Sequence, residues 1–75
     1  MKTAREYKTY RGVIKVTSNK AKRTFTIRTV DNNRNTISIY RSYPQTKHDF
    51  EYYDGFASAG DWGNFLKSND YYLIR

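Results

Sequence analysis

The sequence predicts a small α+β domain. In its first half, apolar and polar residues alternate with a period of two, which is typical of half-buried β-strands. The connections between these runs are short and polar, so we expect neighbouring strands to pair in antiparallel fashion. After Pro44, two segments have the spacing of short amphipathic helices, and a last apolar run follows them. We therefore predict a three-stranded antiparallel meander, two short helices on one face, and a final C-terminal strand (β-β-β-α-α-β), in a single domain of residues 1–75.

A predicted β-hairpin over residues 23–43 lies at the centre of this arrangement. Phe25 and Ile27 would share one face of its first strand. Ile37 and Ile39 would occupy the same face of its second strand, after a turn rich in Asp and Asn, which tolerate the positive φ angles of turns. Alternation assigns the following residues to the opposite, polar face: Thr24, Thr26, Arg28, Ser38 and Tyr40. The same alternation assigns Arg41 and Tyr43 to the apolar side, where the strand leaves the core.

The strand before this hairpin is predicted over residues 10–17. Ile14 and Val16 would extend the apolar face. Arg11 and Lys15 would extend the polar face. The turn that follows carries three positive charges, and it either contacts phosphates or forms a solvated tip: Lys20, Lys22 and Arg23.

Residues 1–9 have no clear apolar period. They could begin a short helix capped by Thr3, with Glu6 completing a capping box, or they could extend the first strand. We expect a loosely ordered lead-in, because chain termini are commonly poorly ordered.

The second half of the chain predicts the helical layer. Pro44 has no N–H for a ladder and ends the meander. Thr46 and Ser58 are predicted N-caps, Gly55 is expected to end the first helix, and residues 71–75 are expected to return to the sheet. The residues expected to cover the apolar face of the sheet are Phe50, Trp62 and Phe65.

The sequence offers little for catalysis. It contains no cysteine and one histidine, His48, beside scattered carboxylates. Adjacent helical residues do not face one another, so His48 and Asp49 make no ready acid–base or metal pair. No Gly-rich phosphate loop is present. We therefore expect a non-enzymatic protein with no metal or other cofactor. Since no apolar run is long enough for a signal peptide or a membrane span, we also expect it to be soluble and cytoplasmic.

Positive charge is concentrated in the first half of the chain. The net charge is +7, and residues 1–43 hold eleven Lys and Arg against two acidic residues, a local charge of +9. Residues 44–75 hold three basic residues against five acidic ones, a local charge of −2. Such asymmetry indicates a polyanionic partner, although solubility alone can also explain a basic surface.

Aromatic residues are interleaved with these basic residues, and the chain has eight tyrosines. Basic side chains hold phosphates while aromatic rings stack on bases, so the pattern favours binding of nucleic acid, either DNA or RNA. The same tyrosines could simply be strand formers that cover a small core. The candidate nucleic-acid-binding residues are Arg11, Lys15, Lys20, Lys22, Arg23, Arg28, Tyr40 and Arg41, with Tyr10 as a further stacking candidate.

Short motifs in residues 24–75 give the chain a resemblance to known proteins. They are Phe25-Thr26-Ile27-Arg28, Ile39-Tyr40-Arg41, Asp49-Phe50-Glu51, Asp61-Trp62, Phe65-Leu66 and Tyr71-Tyr72. On these motifs the chain resembles small uncharacterised basic proteins of Gram-positive bacterial phages and mobile elements. The resemblance implies an accessory protein and supplies no catalytic residue.

A protein partner is the alternative that the sequence leaves open. Proteins of the kind that the chain resembles act by binding nucleic acid or by blocking one host protein. An acidic host protein could meet the basic face, or residues 52–54 could supply aromatic anchors in the acidic half. A homodimer through an exposed strand edge is also possible, because small open sheets leave edges.

Overall fold

The computed structural model describes residues 2–68 and 71–75. Within these residues, five strands form one antiparallel sheet in which every strand lies beside its neighbours in sequence. Two short helices lie between the fourth and fifth strands of this described part. The elements are β1 (Lys2–Thr9), β2 (Gly12–Asn19), β3 (Thr24–Asp31), β4 (Thr36–Ser42), α1 (Lys47–Asp54), α2 (Ala59–Phe65) and β5 (Tyr72–Leu73). The predicted α+β class, with helices on an antiparallel sheet, is confirmed.

The meander has one strand more than predicted, since β1 to β4 follow one another in the described chain. Residues 1–9 were expected to be loosely ordered, and this is wrong for Lys2–Thr9, which pairs with β2 along its whole length. Two side chains of β1 also reach the helical layer. The Arg5 guanidinium donates to the carbonyl of Asp54 at 2.9 Å, and the Tyr7 hydroxyl donates to the carbonyl of Phe56 at 3.3 Å.

The turn between β1 and β2 consists of Tyr10 and Arg11. Arg11 was expected on the polar face of a strand, but it belongs to this turn, and its guanidinium carbon lies 5.2 Å from the Tyr10 ring centroid. Gly12 follows with a φ of +147°, a conformation that favours glycine.

The turn between β3 and β4 confirms the expected Asp and Asn chemistry. The Asp31 carboxylate accepts bonds from the backbone N–H groups of Asn33 and Asn35, at 2.8 and 2.9 Å. Arg34 has a φ of 67°, a left-handed conformation that such turns require.

The core lies between the sheet and the helices. Phe25 of β3 stacks on Phe50 of α1, with ring centroids 4.7 Å apart, and meets the edge of Trp62 at 5.5 Å. Phe50, Trp62 and Phe65 cover this face, as predicted. The buried cluster consists of Ile14, Val16, Phe25, Ile27, Phe50, Trp62 and Phe65.

Both predicted helix caps are confirmed. The Thr46 hydroxyl accepts from the backbone N–H of Asp49 at 3.0 Å, and the Ser58 hydroxyl accepts from that of Asp61 at 3.2 Å. Gly55 caps the end of α1, as expected, with its N–H directed at the last carbonyls of the helix. Each helix therefore begins where a short polar side chain satisfies a backbone N–H, and the helices end at Gly55 and Leu66.

The two faces of β4 are the reverse of the prediction. Its partners across β3 place Ser42 opposite Phe25, Tyr40 opposite Ile27, and Ser38 opposite Thr29, all on the helix-covered side. A bulge causes the difference, because Ile37 is an extra residue between the Val30–Thr36 and Thr29–Ser38 pairs. A shift of one residue moves every later side chain of a strand to the other face.

Ile37 and Ile39 therefore do not join the core, and Arg41 and Tyr43 are not on its side. The reversed orientation of the β4 side chains fits the space that is left on the helix-covered face. Large rings from both helices fill the space beside Phe25, so β4 contributes a small residue there, and Ser42 is buried.

β5 is the short final strand that the sequence predicts. It pairs Leu73 with Tyr40 and Tyr72 with Arg41, and the N–H of Ile74 donates to the carbonyl of Ile39 at 2.8 Å. The Tyr71 hydroxyl donates to the carbonyl of Leu66 at 2.6 Å, which ties the start of this segment to the end of α2.

Candidate functional site

The helices cover one face of the sheet, and the other face is open. Pairing across the sheet identifies its members, because residues directly opposite one another project to the same side. We name this surface the open face. Its residues include Ala4, Glu6 and Lys8 of β1, Val13, Lys15 and Thr17 of β2, Thr26, Arg28 and Val30 of β3, and Thr36, Ile39 and Arg41 of β4.

Three cations cross the centre of the open face on successive strands. Lys15 of β2 lies directly opposite Arg28 of β3. Arg41 of β4 lies opposite Thr26, one diagonal step from Arg28. We call these three residues the basic row. Sequence reasoning predicted each of them as a candidate, and the structure brings them together on one surface.

Among the described residues, only one member of the basic row pairs with a carboxylate. Lys15 is 3.5 Å from the Glu6 carboxylate, in a pair that is open to solvent. In residues 2–68 and 71–75, no carboxylate pairs with Arg28 or Arg41. Their guanidinium groups therefore remain available to an external anion, for which the planar, multiply donating group of arginine is well suited.

The open face is shallow. A depression of about 540 Å³ lies over the basic row, and its floor includes small side chains such as Ala4, Thr17 and Thr26. Ile39 and Ile74 line its side nearest β5. A surface of this shape accommodates an extended chain better than a small enclosed molecule, since small ligands are generally buried in concave pockets.

The other predicted basic residues lie at the two ends of the sheet. Lys20, Lys22 and Arg23 form the turn between β2 and β3, where the Asn19 side chain accepts from the backbone N–H of Lys22 at 3.1 Å. Arg11 lies in the turn between β1 and β2, at the opposite end of the strands. These four residues therefore do not lie on the open face, and Lys20 and Arg23 line a depression with Lys47 and Glu51 of α1.

Tyr40 was predicted to stack on a base from the polar face, and the structure contradicts that placement. Its ring packs against the core on the helix-covered side and meets the Tyr71 ring edge-on, with centroids 4.9 Å apart. The bulge at Ile37 reverses the alternation from which Tyr40 was placed.

Two exposed tyrosines that sequence reasoning missed lie beside the end of β4, where they line a depression with Asp49 and Tyr53 of α1. Tyr43 lies two residues beyond Arg41, and Tyr72 is paired with Arg41 across β4 and β5. Their rings are in contact, with centroids 6.0 Å apart and a tilt of 60°, and they are 54% and 68% exposed. We call them the tyrosine pair. No local pattern could have found the pair, because Tyr43 follows the end of β4 and Tyr72 is placed by its pairing with Arg41.

Three exposed apolar residues lie in β4 and in the last residues of the chain, near the edge of the sheet. Ile37 is 60% exposed, Leu73 65% and Ile74 52%. We call these three residues the apolar edge. Exposed apolar residues in a group are a feature of contact surfaces, whereas single ones are ordinary.

Four of the chain's seven acidic residues lie in the helices on the other side of the sheet. Asp49, Glu51 and Asp54 belong to α1, and Asp61 belongs to α2. The folded protein therefore separates a basic sheet surface from a helical layer that carries most of its acidic residues.

The described residues hold no group of three or more His, Cys, Asp or Glu that could bind a metal ion. None of the helices described is long and apolar enough to cross a membrane. Comparison with protein families, with curated proteins and with solved structures finds no match for this chain.

Proposed function

We propose that this protein binds nucleic acid, without catalysis, through the open face. The observation that carries the proposal is the basic row, in which two arginines without an ion pair in the described chain and one lysine lie on neighbouring strands. Phosphate oxygens accept several bonds from each guanidinium, and phosphate contacts supply most of the affinity in non-specific complexes.

The surroundings of the basic row support the same proposal. Thr17 and Thr26 lie opposite each other on the open face, between Lys15, Arg28 and Arg41, and offer hydroxyl groups that can donate to phosphate or sugar oxygens. The acidic residues of the helical layer lie behind the sheet. A polyanion that approaches the open face therefore meets positive charge first.

The test is a binding titration with a fluorescently labelled oligonucleotide at low salt. Arg28→Gln should raise Kd about tenfold, because one charge-assisted hydrogen bond is worth about 1.5 kcal/mol. Lys67→Gln is the matched control, since it lowers the net charge by the same amount and Lys67 is an exposed residue just after α2. It should change Kd by less than about twofold, because distant exposed charges are screened.

Equal effects of the two substitutions would mean that net charge alone attracts the oligonucleotide. Absence of binding by the unaltered protein at low salt would refute the proposal.

A protein partner is a second candidate, and the apolar edge is the observation that favours it. Ile37 and Ile74 are exposed beside a strand of only two residues, and such edges can pair with another chain. If a host protein is the target, it should remain bound in a nuclease-treated lysate and be lost with Ile37→Glu and Ile74→Glu together. Loss of the partner on nuclease treatment alone would favour the first proposal.

A further inference from the structure

The tyrosine pair lies where the basic row reaches the end of β4. Tyr72 lies directly opposite Arg41 on β5, and Tyr43 follows Ser42, the last residue of β4. Pairing places Tyr72 on the same side of the sheet as Arg41. The ring of Tyr43 is in contact with that of Tyr72, and both tyrosines line a depression at this end of the sheet that also includes Asp49 of α1. Neither ring is part of the buried core.

The tyrosine pair lies at one end of the path that the basic row forms across the sheet. Neighbouring strands are about 4.8 Å apart and residues advance about 3.3 Å along a strand, so a path from Lys15 through Arg28 and Arg41 to Tyr72 is about 18 Å long. Phosphate-binding groups occupy most of this path, and aromatic rings occupy its end. A nucleic-acid strand with unpaired bases carries both phosphates and accessible rings, so it could contact the basic residues and the tyrosine rings together.

We infer that the open face binds single-stranded nucleic acid in preference to duplex, with unpaired bases stacked on Tyr43 and Tyr72. The inference rests on the proposed function and specifies its ligand. The two rings are tilted at 60° to each other, so each offers its own outer face to a base instead of a slot between them.

Duplex nucleic acid fits this surface less well. Its bases are paired and stacked inside the helix, so the tyrosine rings could reach them only after a base had been taken out of the stack. The open face is shallow and carries no helix that could enter a groove. A duplex could still contact the basic row through its phosphates, but it would gain nothing from the rings.

The first measurement compares affinities of the unaltered protein for the two forms. A labelled oligonucleotide of about 12 nucleotides is suitable, because small single-strand-binding folds cover about 4–16 nucleotides. The single strand and its annealed duplex are titrated side by side, as DNA and as RNA. The single strand should bind at least about fivefold more tightly, which corresponds to one stacked base.

The second measurement tests the rings themselves. Tyr43→Leu and Tyr72→Leu should each weaken single-strand binding by about fivefold or more and leave duplex binding unchanged, a difference that a general loss of structure would not produce. Tyr72→Phe keeps a ring and should retain the affinity. Tyr52→Leu removes an equally exposed tyrosine from α1 and serves as the control with no expected effect.

The outcomes separate this inference from the proposed function. Equal affinity for single strand and duplex, with Arg28→Gln still weakening both, would refute the single-strand preference and leave the basic row as a nucleic-acid surface. No binding of either form would refute both. The comparison of the two forms needs no variant, so it stands even if a leucine variant fails to fold.

Discussion

At Gly12 the backbone of β2 passes so close to β3 that a side chain has no room. A Cβ there would overlap the carbonyl oxygen of Val30, and the φ of +147° is one that other residues rarely adopt. This close approach joins the start of β2 to the end of β3 and thereby fixes the pairing of the two strands that carry Lys15 and Arg28.

Gly12→Ala should therefore destabilise the protein by at least about 2 kcal/mol, because both the clash and the backbone strain must be accommodated. Gly63→Ala is the matched control. A Cβ at Gly63 meets nothing within 4 Å, and the residue lies inside α2, so alanine should stabilise by about 0.5–1 kcal/mol. Urea denaturation of both variants measures the two changes. A Gly12 variant as stable as the unaltered protein would contradict the observed approach of the strands.

Among the elements, β4 determines which of its residues lie on the open face. Its bulge turns Tyr40 toward the helices and Arg41 toward the open face. Without the bulge, Ile37 and Ile39 would lie on the core side and Arg41 would be removed from the basic row. The proposed surface therefore depends on the register of one strand.

Two substitutions in β4 test this register. Tyr40→Ala should cost about 2 kcal/mol, because it removes a half-buried ring and its contact with Tyr71. Ile37→Ala should cost less than about 0.5 kcal/mol, because that side chain is largely exposed. Thermal or urea unfolding gives both values. The reverse order of the two costs would indicate the register that alternation alone predicts.

Sequence patterns predicted β2, β3 and both helices because each has a strong local signal. Ile14 and Val16 alternate with polar residues, and Thr46 and Ser58 are short polar residues at the starts of amphipathic segments. These signals depend only on neighbouring residues. They therefore appear in the chain before any tertiary contact is known.

β1 and the phase of β4 could not be predicted in the same way. Lys2–Thr9 is an edge strand with almost no apolar residue, and it is held by pairing with β2 and by the long-range bonds of Arg5 and Tyr7. In β4, either alternate set of side chains could have faced the core. A bulge and the ring volume contributed by the helices determined the choice, and neither is visible in local periodicity.

The candidate site was predictable in part. Lys15, Arg28 and Arg41 were identified from charge, although Arg41 was assigned to the wrong side. Tyr72 was missed because its place depends on the pairing of β5, which is non-local, and Tyr43 because it follows the end of β4, where alternation assigns no side.

For the molecule as a whole, the difference in charge between the two halves of the chain becomes, on folding, a difference between the meander and the helical layer. The basic first half forms the meander, and the acidic second half forms the helices behind it. A protein with separated charges orients a polyanion before contact. Salt weakens this effect, because it screens charges over a distance of about 10 Å at 0.1 M ionic strength.

The salt dependence of Kd for a single-stranded oligonucleotide tests the central claim most directly. With three phosphate contacts from the basic row, Kd should rise about 20-fold between about 50 and 200 mM salt, and Arg28→Gln should reduce that rise to about 7-fold. A Kd that does not change with salt, or a rise of the same size in Arg28→Gln, would contradict binding of phosphates by the basic row.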